Sequence, residues 1–151
     1  MTLAELLAPG AVVVPLEAAD REAAIARLVD ALPALGGAPE RETLRAAILA
    51  REAAGSTGLG HGVAIPHART ARVSAPAMAV GLTARPIEFR AADGAPVSLI
   101  FLLAVPESEP RSHLRVLAAL SALVSDKKRL RALQKAASAD ELLQTLAGIA
   151  L

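Results

Sequence analysis

Arg51-Glu52-Ala53-Ala54-Gly55-Ser56-Thr57-Gly58-Leu59-Gly60-His61-Gly62-Val63-Ala64-Ile65-Pro66-His67 is the stretch on which the reading of this chain turns. It leaves a helical pattern, loses all periodicity across four glycines in the eight positions Gly55 to Gly62, and re-emerges as the β-prone Val63-Ala64-Ile65. A helix that passes through a glycine loop into a strand predicts an α/β domain. Pro66 fixes its own φ and biases Ile65 toward extended geometry, so His67 is expected at a stiff strand end.

On the N-terminal side, Pro39 suits the first turn of the helix that leads into this stretch. Leu44, Ala47, Ile48 and Ala54 are expected to form its buried stripe, with Gly55 as the stop and Arg51 in the last turns. Upstream, Asp20 precedes Ile25, Leu28, Val29 and Leu32 at helical spacing, and Gly36-Gly37 supplies a stop. That pattern predicts a helix of about four turns. Ala11 to Leu16 reads as a first strand, placed at a sheet edge because Pro15 cannot donate to a ladder, and a short helix is expected at Leu3 to Leu7.

On the C-terminal side, Ala77 to Thr83 and Val97 to Val105 read as strands. Between them come a short strand at Pro86 to Phe89 and a turn at Ala92-Asp93-Gly94. The run from Val97 is apolar almost throughout and is expected at the centre of the sheet. Helical periodicity then takes over, with His113, Val116, Leu117, Leu120 and Val124 on one face. Ser125-Asp126 caps a basic helix, and Ser138-Ala139-Asp140-Glu141 has capping-box spacing before a final helix. The chain is expected to form one domain, residues 1–151, as a mixed-sheet α/β sandwich with helices on both faces.

Composition narrows the chemistry. Hydrophobic residues make up 54% of the chain but aromatics only 1%, so the core rests on aliphatic side chains and alanine, and no aromatic platform exists for stacking bases. Sixteen basic against fifteen acidic residues leave a formal charge of +1, too little to draw in nucleic acid or anionic lipid as a whole-protein field. The basic segment Lys127-Lys128-Arg129 with Arg131 reads as a solvated helix face. With no cysteine there is no disulfide framework, thiolate metal site or thiol nucleophile. Neither a signal-peptide pattern nor a run long enough to span a bilayer is present, so a cytoplasmic location without membrane insertion is expected.

Within the glycine stretch, the neutral imidazole of His67 can attack phosphorus through an unprotonated ring nitrogen. An arginine such as Arg51 offers a fork of donors matched to phosphate oxygens, and Thr57 and the glycine amides could help hold the anion. His113 falls at the start of a helix on its inward stripe, where the helix N-terminus favours an uncharged ring and an anion beside it. Composition equally allows a tight turn followed by a hydrogen-bonded strand-end histidine, and a core-packed ring at His113. Other chemistries fit less well. No Gly-Lys-Ser/Thr follows the glycines, the loop opens into a strand rather than a helix, and no Gly-x-Ser-x-Gly elbow surrounds Ser56. If Gly62 to His67 is extended, His61 and His67 lie about 20 Å apart, beyond the reach of one zinc ion.

Arg-Glu followed by Gly-Ser-Thr-Gly-Leu-Gly-His-Gly-Val-Ala-Ile-Pro-His resembles the signature of type-2 enzyme IIA of the bacterial phosphoenolpyruvate-dependent phosphotransferase system, shared by its fructose/mannitol and nitrogen-regulatory branches. The likeness continues through Pro86 to Phe89, Asp93 to Val97 and Ser112 to Leu120. The resemblance implies the mixed-sheet fold of that family and His67 as the phosphorylated residue. It also implies Arg51 and His113 as its helpers, with the loop residues Ser56, Thr57 and Gly58 beside the phosphate. His61 matches a variable position and takes no role. No cofactor or metal is implied. The implied donor is a histidine phosphocarrier protein; the acceptor is a IIB domain of a sugar permease or, in the regulatory branch, a target protein.

Overall fold

A computed structural model of the chain describes residues 1–151, the side chain of Ala34 excepted. Short 3-10 turns at Leu3–Leu6 and Pro33–Leu35 accompany strands β1 (Leu7–Leu16), β2 (Gly58–Gly60), β3 (Val63–Ala64), β4 (His67–Thr70), β5 (Ala77–Ile87) and β6 (Val97–Pro106). The helices are α1 (Arg21–Asp30), α2 (Ala38–Ala54), α3 (Leu114–Ser125), α4 (Lys127–Gln134) and α5 (Ala139–Ala147). The strands form a mixed sheet in the order β1-β5-β6-β3-β2, with β4 also on β6. β1 runs parallel to β5, β5 antiparallel to β6, and both β3 and β4 parallel to β6. The expected sandwich is therefore what forms.

The long apolar run is central because both of its faces are covered. Leu99, Phe101, Leu103 and Val105 point into a core closed by α3, α4 and α5. The alternate residues Ile100, Leu102 and Ala104, together with Val97 at the start of the strand, belong to a second core closed by α1 and α2. A strand buried on both faces loses the polar alternation of a half-exposed one, which explains its uniform hydrophobicity.

β3 and β4 lie along one edge of β6 in unbroken register: Val63 faces Leu99, Ala64 faces Ile100 and His67 faces Leu103. The interruption at Ile65-Pro66 is local. Pro66 has no N–H for a ladder, yet its carbonyl still accepts from the Leu103 amide at 3.0 Å. His67 thus opens a strand pinned to the centre of the sheet, instead of closing one.

Several expectations are revised. β1 starts at Leu7, earlier than Ala11, and takes the edge position that Pro15 predicted. α1 ends at Asp30 after 10 residues, short of four turns, because Pro33 disfavours helical geometry at Leu32, which is extended at φ −88° and ψ 104°. Pro86 and Ile87 belong to β5 and form no separate strand. In α2, Ala47 and Ala54 are exposed, and the buried stripe is Leu44, Ile48 and Glu52. His113 caps α3 instead of lying within it. At α5, Ser138 accepts from the Glu141 amide as predicted, but the Glu141 carboxylate takes the Ala137 amide in place of the cap residue's own.

Phe101 is fully buried at the middle of β6. Replacing it with alanine is expected to cost about 3–5 kcal/mol of folding stability, measured by urea denaturation, because the cavity would open between strand and helices where neither can collapse.

Candidate active site

The site forms where α2, the glycine loop, β4 and the start of α3 converge. His67 is half-buried, and its Nδ1 lies 2.8 Å from the Ile65 carbonyl oxygen. A carbonyl can only accept, so Nδ1 carries the proton and donates, leaving Nε2 as the unprotonated ring nitrogen. His113 stands beside it with ring centroids 5.7 Å apart and a 33° tilt between the planes. His113 Nδ1 is buried without a hydrogen-bond partner.

Burial, and then the neighbouring His67, hold the His113 ring below its ordinary value, with Arg69 acting in the same direction and the nearby Pro110 backbone opposing them. The ring is accordingly uncharged at neutral pH. The folded state binds this proton less readily than the unfolded chain, so the contribution to stability is present above about pH 6.5 and is lost as pH falls through the unfolded value toward the folded one.

Arg51 extends from the last turn of α2, its Nη1 donating to the Gly55 carbonyl at 2.6 Å. The guanidinium and the His67 ring together line two adjoining hollows. One, of about 210 Å³, is completed by Ala68, Arg69, Val105 and His113. The other, of about 230 Å³, is walled by Ser56, Thr57, Leu59 and Leu117 among others. Leu59 is exposed at this rim, as is Leu114 beside His113. His67 therefore sits in a shallow, apolar-rimmed depression with cationic or polar groups on one flank.

The loop residues make hydrogen bonds to other protein groups. Ser56 Oγ donates to the Phe89 carbonyl at 2.6 Å and accepts from the Gly58 amide at 3.0 Å. The Thr57 hydroxyl and amide both donate to the buried carboxylate of Glu52, the amide at 3.2 Å. The His61 amide donates to Asp93 at 2.9 Å, and its carbonyl accepts from Gln134 at 2.8 Å. The hydroxyls of Ser56 and Thr57 and the amides of Thr57 and Gly58 are thus engaged by other protein groups. Its glycines answer to space and backbone geometry: a Cβ on Gly58 would fall 2.6 Å from that of Ala91, and Gly60-His61-Gly62 turns with φ of 85°, 56° and 81°.

Two residues of the site escape a sequence reading. Arg69 follows His67 by two positions, which on a strand means the same face, but the polar His67–Thr70 segment does not announce itself as a strand. Glu52 continues the Leu44-Ile48 spacing by four, a periodicity that an acidic side chain disguises.

A family model described as "Phosphoenolpyruvate-dependent sugar phosphotransferase system, EIIA 2" matches residues 5–148. The chain is 34% identical over 146 residues to the PTS system fructose-specific EIIABC component of Bacillus subtilis, covering 97% of this chain but 23% of that protein. It is 31% identical over 147 residues to the nitrogen regulatory protein of Pseudomonas aeruginosa, covering 97% of this chain and 96% of the relative. The crystal structure of nitrogen regulatory protein IIA-Ntr from Neisseria meningitidis superimposes with a TM-score of 0.85 at 36% identity, over 95% of this chain and 97% of that one.

NMR titration is expected to give His113 a midpoint below 6.5, and a His67→Gln variant, which removes the adjacent imidazole charge, is expected to move that midpoint upward. An unmoved midpoint would mean that the two rings do not sense each other.

Proposed function

We propose that this chain, which belongs to the EIIA 2 family of the phosphoenolpyruvate-dependent sugar phosphotransferase system, takes up a phosphoryl group on Nε2 of His67 and passes it to an acceptor protein. The observation that carries this reading is the Nδ1–Ile65 carbonyl bond at 2.8 Å, which leaves Nε2 with its lone pair.

In the uptake step Nε2 attacks phosphorus of a phosphohistidine on a donor carrier. The new N–P bond forms as the donor's N–P bond breaks, and the donor ring, protonated on its other nitrogen, leaves with the electron pair as a neutral imidazole, so the positive ring charge passes to His67. No proton need leave His67, because Nδ1–H stays bonded to Ile65 throughout. Arg51 balances charge on the transferring oxygens, assisted by Arg69, while the uncharged His113 can donate a hydrogen bond to them. Release repeats the displacement in the opposite sense, with an acceptor thiolate or imidazole as the incoming group. The shallow site suits this relay, since donor and acceptor proteins must reach the same nitrogen in turn through small, transient interfaces. Ser56, Thr57 and Gly58 serve the reaction as scaffold for the loop.

The acceptor read first is a cysteine on a IIB domain of a sugar permease, a role supported by the EIIABC name of the Bacillus relative. The second reading is a regulatory module whose phosphorylation state selects its target. A specific observation supports it: the chain superimposes on the nitrogen regulatory protein IIA-Ntr of Neisseria meningitidis with a TM-score of 0.85 at 36% identity. Both readings place the chain in the cytoplasm. Among the described residues no helix is long and apolar enough to cross a membrane.

Incubation with the phosphorylated histidine carrier is expected to label wild-type protein at His67, abolish labelling in a folded His67→Ala variant, and slow it on the order of 10²-fold in Arg51→Ala. His113→Ala is expected to slow it too. Full labelling of His67→Ala would remove the assignment. Transfer of label from the wild type to a IIB cysteine distinguishes transport from regulation.

A further inference from the structure

We infer that Glu52 is a positioning residue for the nucleophile, acting through Thr57 and Ile65 to hold His67 in the tautomer that exposes Nε2; this rests on the carrier reading above. Glu52 is 2% exposed, one turn beyond Ile48 on the buried stripe of α2. A carboxylate so placed is costly unless donors surround it. Here the donors are the Thr57 amide at 3.2 Å, the Thr57 hydroxyl and, more distantly, Arg21 Nη1 at 4.0 Å from the start of α1. Two bonds from one residue fix both the place and the rotation of Thr57.

The clamped residue is then the anchor for the next link. The Thr57 carbonyl accepts from the Ile65 amide at 3.2 Å, and the Ile65 carbonyl accepts from His67 Nδ1 at 2.8 Å. Ile65 thus directs its amide toward the loop instead of β6, and Pro66 behind it offers no N–H. The orientation of the carbonyl that selects the His67 tautomer is set on one side by the Pro66 attachment to Leu103 and on the other by Thr57. A free neutral imidazole populates both tautomers, and the wrong one would present Nε2–H to the incoming phosphorus. The arrangement has the logic of a carboxylate that orients a histidine, with two backbone segments interposed between acid and ring.

The test uses Thr57→Val, which removes the hydroxyl at nearly constant shape, Thr57→Ser, which restores it, and Glu52→Gln, which offers Thr57 one acceptor where it had two. The readouts are the His67 tautomer from imidazole 15N shifts and the rate of labelling by the phosphorylated carrier. Wild type and Thr57→Ser are expected to show Nδ1 protonated and Nε2 bare. Thr57→Val and Glu52→Gln are expected to show mixed tautomers and labelling slowed by about tenfold. A folded Thr57→Val protein with wild-type tautomer and rate overturns the inference, and it decides alone if Glu52→Gln does not fold. Slower labelling with an unchanged tautomer also overturns it, since that points to a purely structural role. Wild-type protein that fails to label at His67 would defeat the carrier reading instead, leaving the tautomer measurement intact.

Discussion

The hydrogen bond from His67 Nδ1 to the Ile65 carbonyl is the contact around which the site is organised. Along this edge the carbonyls of Gly62, Pro66 and Thr70 face β6, so the Ile65 carbonyl, one position out of step, faces away from β6 and is open to the side chain two residues on. That geometry assigns the proton of the neutral ring to Nδ1 and leaves Nε2 as its nitrogen with the free lone pair.

Rigidity around that contact comes from the sheet. β6 is buried on both faces and supports β3 and β4 along one edge, so His67 is tied to the centre of the sheet. The helices bring the remaining groups from opposite layers: α2 delivers Arg51 from one face, while the turn before α3 delivers His113 from the other.

The end of α2 shows how adjacent residues divide labour. Successive residues on a helix point about 100° apart, so Arg51 reaches the open depression while Glu52 turns into the interior. The exposed Arg51 lines the hollow beside His67, and the buried Glu52 ties down the loop through Thr57. Burial of His113 next to His67 disfavours a charge on its ring.

Much of this was legible in the amino-acid sequence because it is local or periodic. The apolar run at Val97, the caps at Asp20, Asp126 and Ser138, the edge position of β1 and the presentation of His67 behind Pro66 all follow from propensity, spacing and proline geometry. Other features depend on contacts between distant segments. The loop hydroxyls of Ser56 and Thr57 look like anion donors until Phe89 and Glu52 are seen to occupy them. Glu52 breaks the apolar stripe by type but not by place, and Arg69 joins the site only once β4 is known to be a strand. The sequence by itself determined which side chains could carry phosphoryl chemistry and the elements that bear them. Tertiary structure alone decided which of their donors remain uncommitted and which nitrogen of His67 is bare, because a hydrogen bond depends on where the partner lies in space.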